Sequence, residues 1–132
     1  MRFLTIVVLL VGTTALMPAS ACAQPTAEHL FYYVDTEQCL TDLREHAAMI
    51  SVVSPAWFSA DEDGVVWGSV DPRVLAVAKE HAIAVMPLIV NPGFNQEALS
   101  RLLHNADARQ RAIGSMVDLC VQHRLAGIQF DF

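Results

Sequence analysis

Apolar and polar positions along this chain alternate between strand-like stretches and stretches of period near 3.6, with four strands separated by three helical regions. His29 to Val34 (HLFYYV) is rich in aromatic and apolar residues and predicts a first strand. Asp35 then opens a helix with Gln38 as its capping-box partner, and Cys39, Leu40, Leu43 and Ala47 fall on one face. Met49 to Ser54 predicts a second strand, ended by Pro55. Asp71-Pro72 places a capping carboxylate before a proline at the first helical position, and Val74, Leu75, Ala78 and Ala82 form the inner face of the helix that follows. The third strand, Ala82 to Val90, contains no polar residue. A strand apolar on both faces belongs in a parallel sheet covered by helices. Asn95 caps the next helix, with Phe94 and Leu99 set for a hydrophobic staple. After a break at Asn105-Ala106, Asp107 restarts the helix with Gln110 as its capping partner. Ile113, Met116, Val117, Cys120 and Val121 make its apolar stripe. Ala126 to Phe132 is the fourth strand.

Between the second strand and second helix lies a longer excursion around Trp57 to Val70. Asp63-Gly64 between short apolar runs predicts a tight hairpin turn. The acidic trio Asp61, Glu62 and Asp63 lacks the spaced ligands and distal Glu of an EF-hand, so a turn is the better reading than a calcium loop. The order βαβαβαβ, with connections long enough for right-handed crossovers, and the lack of a glycine-rich phosphate loop argue against a Rossmann or P-loop domain. The expected fold class is α/β: the N-terminal half, about four βα units, of a truncated (β/α)8 TIM barrel. A closed barrel takes roughly 250 residues, against 132 here.

Composition changes the picture in three places. Net charge is −6 with no Lys/Arg cluster, so neither nucleic acid nor an anionic membrane surface is the expected partner. Part of the 54% hydrophobic content belongs to a leader. Met1-Arg2, an apolar run from Phe3 to Val11 and the small-x-small site Ala21-Cys22-Ala23 predict a signal peptide over 1–23 and a mature domain over 24–132. The expectation is export, periplasmic or extracellular, with no transmembrane segment after cleavage. Lipid anchoring through Cys22 is the alternative, against which Ala19 counts. Cys39 and Cys120 remain, and their place on helix stripes reads as buried free thiols, although export permits a disulfide. No CxxC or HExxH occurs and the five His are scattered, so neither metal nor cofactor is expected.

The fourth strand carries the chemistry. Gly127-Ile128-Gln129-Phe130-Asp131-Phe132 resembles the strand-4 signature DxxDxDxE of glycoside hydrolase family 18, the chitinase-like barrels. Ala126 takes the first Asp position, Gln129 the second and Asp131 the third; the closing Glu would follow Phe132. Gly64-Val65-Val66-Trp67-Gly68, and Leu102-Leu103-His104-Asn105 with Arg109, resemble the branch of spore-cortex and peptidoglycan glucosaminidases. The resemblance covers the mature chain, but Ala126, Gln129 and the absence of an SxGG on strand 3 depart from it. It implies substrate-assisted retaining hydrolysis of β-1,4-linked N-acetylglucosamine polymers, chitin or peptidoglycan. The substrate's acetamide would attack, Asp131 would orient it, and Gln129 would support Asp131 or merely pack. It also implies that this chain, without the Glu, is inactive by itself. The alternatives are a non-catalytic glycan-binding barrel or an unrelated secreted barrel with another substrate, and for Asp131 a strand-end acid capping a helix. Tyr33, Trp57 and Asn91 are the expected substrate-binding residues. Trp57, Phe58 and Trp67 are read as lying past strand 2, either stacking on sugars or anchoring the loop. Tyr32 and Tyr33 alternate faces, so only one points inward.

Overall fold

The computed structural model describes residues 28–132, so the expected signal peptide lies outside the described residues. The elements are β1 (Leu30–Tyr33), α1 (Glu37–His46), β2 (Val52–Ala60), β3 (Val66–Gly68), α2 (Pro72–Glu80), β4 (Ala84–Val85), β5 (Leu88–Val90), α3 (Gln96–His104), α4 (Ala106–His123) and β6 (Gln129–Asp131). The sheet is ordered β1–β2–β5–β6 with all neighbours parallel, β4 extending β5 along β2, and β3 antiparallel to the end of β2. This is an open run of parallel βα units, and the sheet does not close on itself. Among the described residues, β6 is paired only with β5.

Local chemistry explains where the element boundaries differ from expectation. Thr36, not Asp35, caps α1, because its hydroxyl accepts from the Cys39 amide at 3.2 Å; Gln38 instead donates to Asp42 at 2.8 Å. Asn105, not Asp107, caps α4, accepting from the amides of Asp107 and Ala108. The caps at Asp71 and Asn95 form as expected. β2 does not end at Pro55. Pro55 stands opposite Tyr33, the last residue of β1, immediately before a bulge between Ala56 and Phe58; at such a position a missing N–H interrupts little. The third strand is broken in two at Met86-Pro87, yet Met86 N still donates to Val53 O and Pro87 O still accepts from Gln129 N. Ala82 does not belong to the inner face of α2. It is exposed beyond the helix in a left-handed conformation, and Val77 is buried in its place.

The Asp63-Gly64 hairpin forms as expected. Asp61 Oδ1 accepts from the amides of Asp63 and Val65, which closes the turn from within. The tip then rests on the α3–α4 corner. Arg111 donates twice to the Asp63 carbonyl (3.0 and 2.7 Å), Arg101 pairs with Glu62, and Gly64 packs against the Ala108 backbone.

The core lies between the sheet and its helices: Tyr33, Val53 and Ile89 from the strands meet Leu40, Leu43, Val74, Val77, Leu102, Ala108, Ala112 and Met116. The stripe expected on α4 is only partly buried. Ala108, Ala112 and Met116 face the core, whereas Ile113, Val117 and Val121 are exposed and with Phe130 line an apolar groove of about 340 Å³ beside β6. Phe94 is also exposed, in a left-handed turn. Cys39 and Cys120 are free and half-buried, and burial pushes the Cys120 thiol above its ordinary pKa. No helix among the described residues is long and apolar enough to cross a membrane.

Candidate active site

Register decides which side chains share a face. Leu88 pairs with Gln129, Ile89 with Phe130 and Val90 with Asp131. Ile89 is fully buried towards the helices, so by alternation Gln129 and Asp131 stand on the opposite, inner face. Parallel strands bring all their C-terminal ends to one side of the sheet, so Asp131 sits where strand-end residues of β1, β2 and β5 converge.

Below Asp131 the inner face holds a hydrogen-bonded group. The Gln129 amide donates to the Tyr32 hydroxyl at 2.7 Å, and Gln129 Oε1 lies 3.1 Å from Ser54 Oγ. Ser54, fully buried, also donates to the Met86 carbonyl at 2.8 Å. A hydroxyl has one hydrogen, so Ser54 cannot serve both acceptors at once. With the amide turned over, Tyr32 donates to Gln129 oxygen, Gln129 nitrogen donates to Ser54, and Ser54 donates to Met86; every group is then satisfied. Either way Gln129 is held between β1 and β2. Its partners are Tyr32 and Ser54, and Asp131, two residues further along the same face, is exposed.

The other expected site residues are dispersed. Tyr33 is 1% exposed on the helix side of the sheet, so the inward tyrosine of β1 is Tyr32, which is 56% exposed. The Tyr33 hydroxyl has no partner among the described residues; burial, and then the charges of Asp71 and Asp35, raise its pKa. Trp57 is not in a loop past strand 2. It is a buried residue of β2 at the bulge, 8% exposed, packed edge-on against Phe58 with ring centres 6.4 Å apart. Asn91 is buried and braces the turn after β5, its Nδ2 donating to the Asn95 carbonyl at 3.1 Å, rather than lining the inner face. The structure therefore brings Gln129 and Asp131 together and leaves Tyr33, Trp57 and Asn91 in supporting positions. Ser54 was the missed member. It is the fully buried serine of β2, but its pairing with Gln129 depends on long-range register.

Beside the site, Asp71 caps α2 and is gripped by the Arg73 guanidinium, whose Nε and Nη2 reach it at 2.8–3.1 Å. Arg73 holds the Asp71 carboxyl below the usual carboxylate range and is itself pushed up by Asp71 and Glu37. Glu37 bonds Arg73 at 2.6 Å, tying the start of α1 to that of α2. Asp71 and Arg73, together with Asp35, Trp57 and Ser69, line a pocket of about 240 Å³. Among the described residues no set of three or more His, Cys, Asp or Glu is placed to hold a metal ion.

Neither a family model nor a curated protein sequence matches the chain. Solved structures do. The spore cortex-lytic enzyme SleL of Bacillus megaterium QM B1551 superposes with a TM-score of 0.73 at 22% identity, over 83% of this chain and 28% of that one. A class V chitinase from Pseudomonas fluorescens Pf-5 gives 0.73 at 18% identity over 81% and 35%, and a chitinase from Chromobacterium violaceum ATCC 12472 gives 0.69 at 21% over 81% and 35%. The chain thus spans about a third of the length of the structures it matches. A run of parallel strands covered by helices is the fold of the N-terminal part of the chitinase and cortex-lytic enzyme barrels, and this chain has that fold.

Proposed function

We propose that this chain supplies the strand-4 side of the active site of an exported glycoside hydrolase that cleaves β-1,4-linked N-acetylglucosamine polymers, chitin or peptidoglycan. The observation that carries the proposal is the placement of Asp131 on the inner face at the C-terminal end of β6, directly beyond a Gln129 clamped by Tyr32 and Ser54. The solved chitinases and cortex-lytic enzyme support the substrate class.

In this reading the substrate's own acetamide oxygen attacks the anomeric carbon, forming an oxazolinium ion as the leaving sugar departs. Asp131 accepts the acetamide N–H, aligns its oxygen and opposes the positive charge that develops. A carboxylic acid two residues beyond Asp131 on this strand would lie on the same face and would supply the proton for the leaving oxygen. Gln129 cannot share a proton with Asp131 as a second carboxyl would. Held by Tyr32 and Ser54, it shapes the floor beneath the acetamide as a neutral group. The apolar groove beside β6 suits a further βα unit packing there, as a complete barrel requires.

The test is hydrolysis of N-acetylglucosamine oligomers and of peptidoglycan by a protein extending this chain through the complete barrel. Release of reducing ends is expected, with Asp131→Asn lowering kcat on the order of 10²–10³-fold. No product from either polymer, or full activity in Asp131→Asn, would refute the proposal.

A further inference from the structure

The antiparallel end of the sheet carries a second feature on the same face as Asp131. β3 pairs with β2 so that Trp67 stands opposite Ser59, and Ser59 in turn pairs with Val90, which pairs with Asp131. Residues directly opposite in a ladder share a face, so Trp67, Ser59, Val90 and Asp131 form one row across four strands. Three strand spacings put the two ends of that row roughly 14 Å apart along the sheet. The neighbours of Trp67 confirm the direction. Val66 and Gly68 oppose Ala60 and Phe58, which are buried towards the helices, and the hairpin tip rests on α4 on that other side. Trp67 faces away from that packing and is 44% exposed, whereas Trp57 is buried in β2. Between Trp67 and Asp131 the row holds only Ser59 and Val90, neither of which is large enough to block a ligand lying across it.

We infer that Trp67 is a sugar-stacking platform, a glycan subsite more than one ring removed from the bond cleaved at Asp131, which makes the protein favour long N-acetylglucosamine chains over short ones. The inference rests on the proposed glycosidase reading and adds to it where the polymer runs. An indole face covers the apolar face of a pyranose ring, and the backbone that presents it is fixed by the β2–β3 pairing. The polymer would enter over β3 and cross the ends of β2 and β5 to reach β6.

The chain contains two tryptophans, so emission can separate them. Titration of the protein with the hexamer of N-acetylglucosamine should change tryptophan emission saturably, and the Trp57→Phe variant, whose single indole is Trp67, should still respond. Trp67→Ala should weaken hexamer binding by about tenfold while leaving dimer binding within about twofold. Trp67→Tyr should restore most of the hexamer affinity. Because the side chain is exposed, the unfolding midpoint of Trp67→Ala should match that of the parent, which separates stacking from a merely structural role. Equal hexamer affinity in Trp67→Ala and parent, or no emission response in Trp57→Phe on hexamer binding, would overturn the subsite and leave the glycosidase reading standing. Failure of the complete-barrel protein to bind or cleave any N-acetylglucosamine oligomer would overturn both.

Discussion

Gly64 is the point at which one added methyl group should do most damage. It lies at the tip of the β2–β3 hairpin with φ +78°, and a Cβ there would stand 2.0 Å from the carbonyl oxygen of Ala108 and 2.7 Å from its carbon. The left-handed conformation alone costs an L residue about 1–2 kcal/mol. The obstruction is backbone, so no rotamer change relieves it, and the hairpin must lift from α4. Lifting stretches the two bonds from Arg111 to the Asp63 carbonyl, each contributing about 0.5–1.5 kcal/mol net. The Glu62–Arg101 pair is solvent-screened and adds little. Gly64→Ala should therefore destabilise the fold by roughly 2–4 kcal/mol, a large share of the ~5–15 kcal/mol typical of a domain. Urea denaturation followed by tryptophan emission reads this directly: with an m-value of about 2 kcal/mol/M the midpoint should fall by about 1–2 M. Gly114, inside α4 with nothing within 4 Å of its would-be Cβ, is the matched control. Gly114→Ala should raise stability by about 0.5–1 kcal/mol. A Gly64→Ala protein within about 0.5 kcal/mol of the parent, at unchanged m, would show that the hairpin does not rest on α4.

Three further outcomes follow from the geometry. Asp71→Ala removes the α2 cap together with the Arg73 clamp and should cost about 1–2 kcal/mol in denaturant unfolding. Because the folded state holds the Asp71 carboxyl below its unfolded value, its contribution is complete above about pH 4 and should be lost as pH falls further, giving Asp71→Ala a flatter acid limb than the parent. Gln129→Leu strips the amide from between Tyr32 and Ser54 and should destabilise by about 1–2 kcal/mol, whereas Gln129→Glu should keep part of the bonding; equal stability of parent and Gln129→Leu would refute the clamp. The raised pKa of Cys120 lowers its thiolate fraction, so alkylation at pH 8 should be slower than for free cysteine; a rate at or above that of free cysteine would contradict burial as the cause.

Much of this fold was legible in local chemistry, and the misses have physical reasons. The caps at Asp71 and Asn95 and the turn at Asp63-Gly64 each depend on neighbours close in sequence, and each formed as expected, whereas the all-apolar third strand formed in two pieces either side of Met86-Pro87. Pro55 misled because a proline breaks a strand only where its N–H is needed, and at the last rung beside β1 little is lost. Trp57 looked like a loop residue once β2 was ended early, and became a buried strand residue when β2 ran on to Ala60. The choice between Tyr32 and Tyr33 required knowing which face of β1 meets the helices, a long-range property. Thr36 and Asn105 displaced Asp35 and Asp107 as caps because two adjacent candidates compete within one turn and only backbone geometry decides between them. Of the candidate site, the shared face of Asp131 and Gln129 was legible in their two-residue spacing. The site was illegible at Ser54 and in the Trp67 row, which depend on pairing across strands tens of residues apart.

The central claim is that cleavage at Asp131 proceeds through the substrate's own acetamide. The anomeric configuration of the first product, followed by proton NMR as the complete-barrel protein cleaves an N-acetylglucosamine oligomer, tests it most directly. Substrate assistance requires that the new reducing end appear as the β anomer and mutarotate afterwards; first appearance as the α anomer would contradict it.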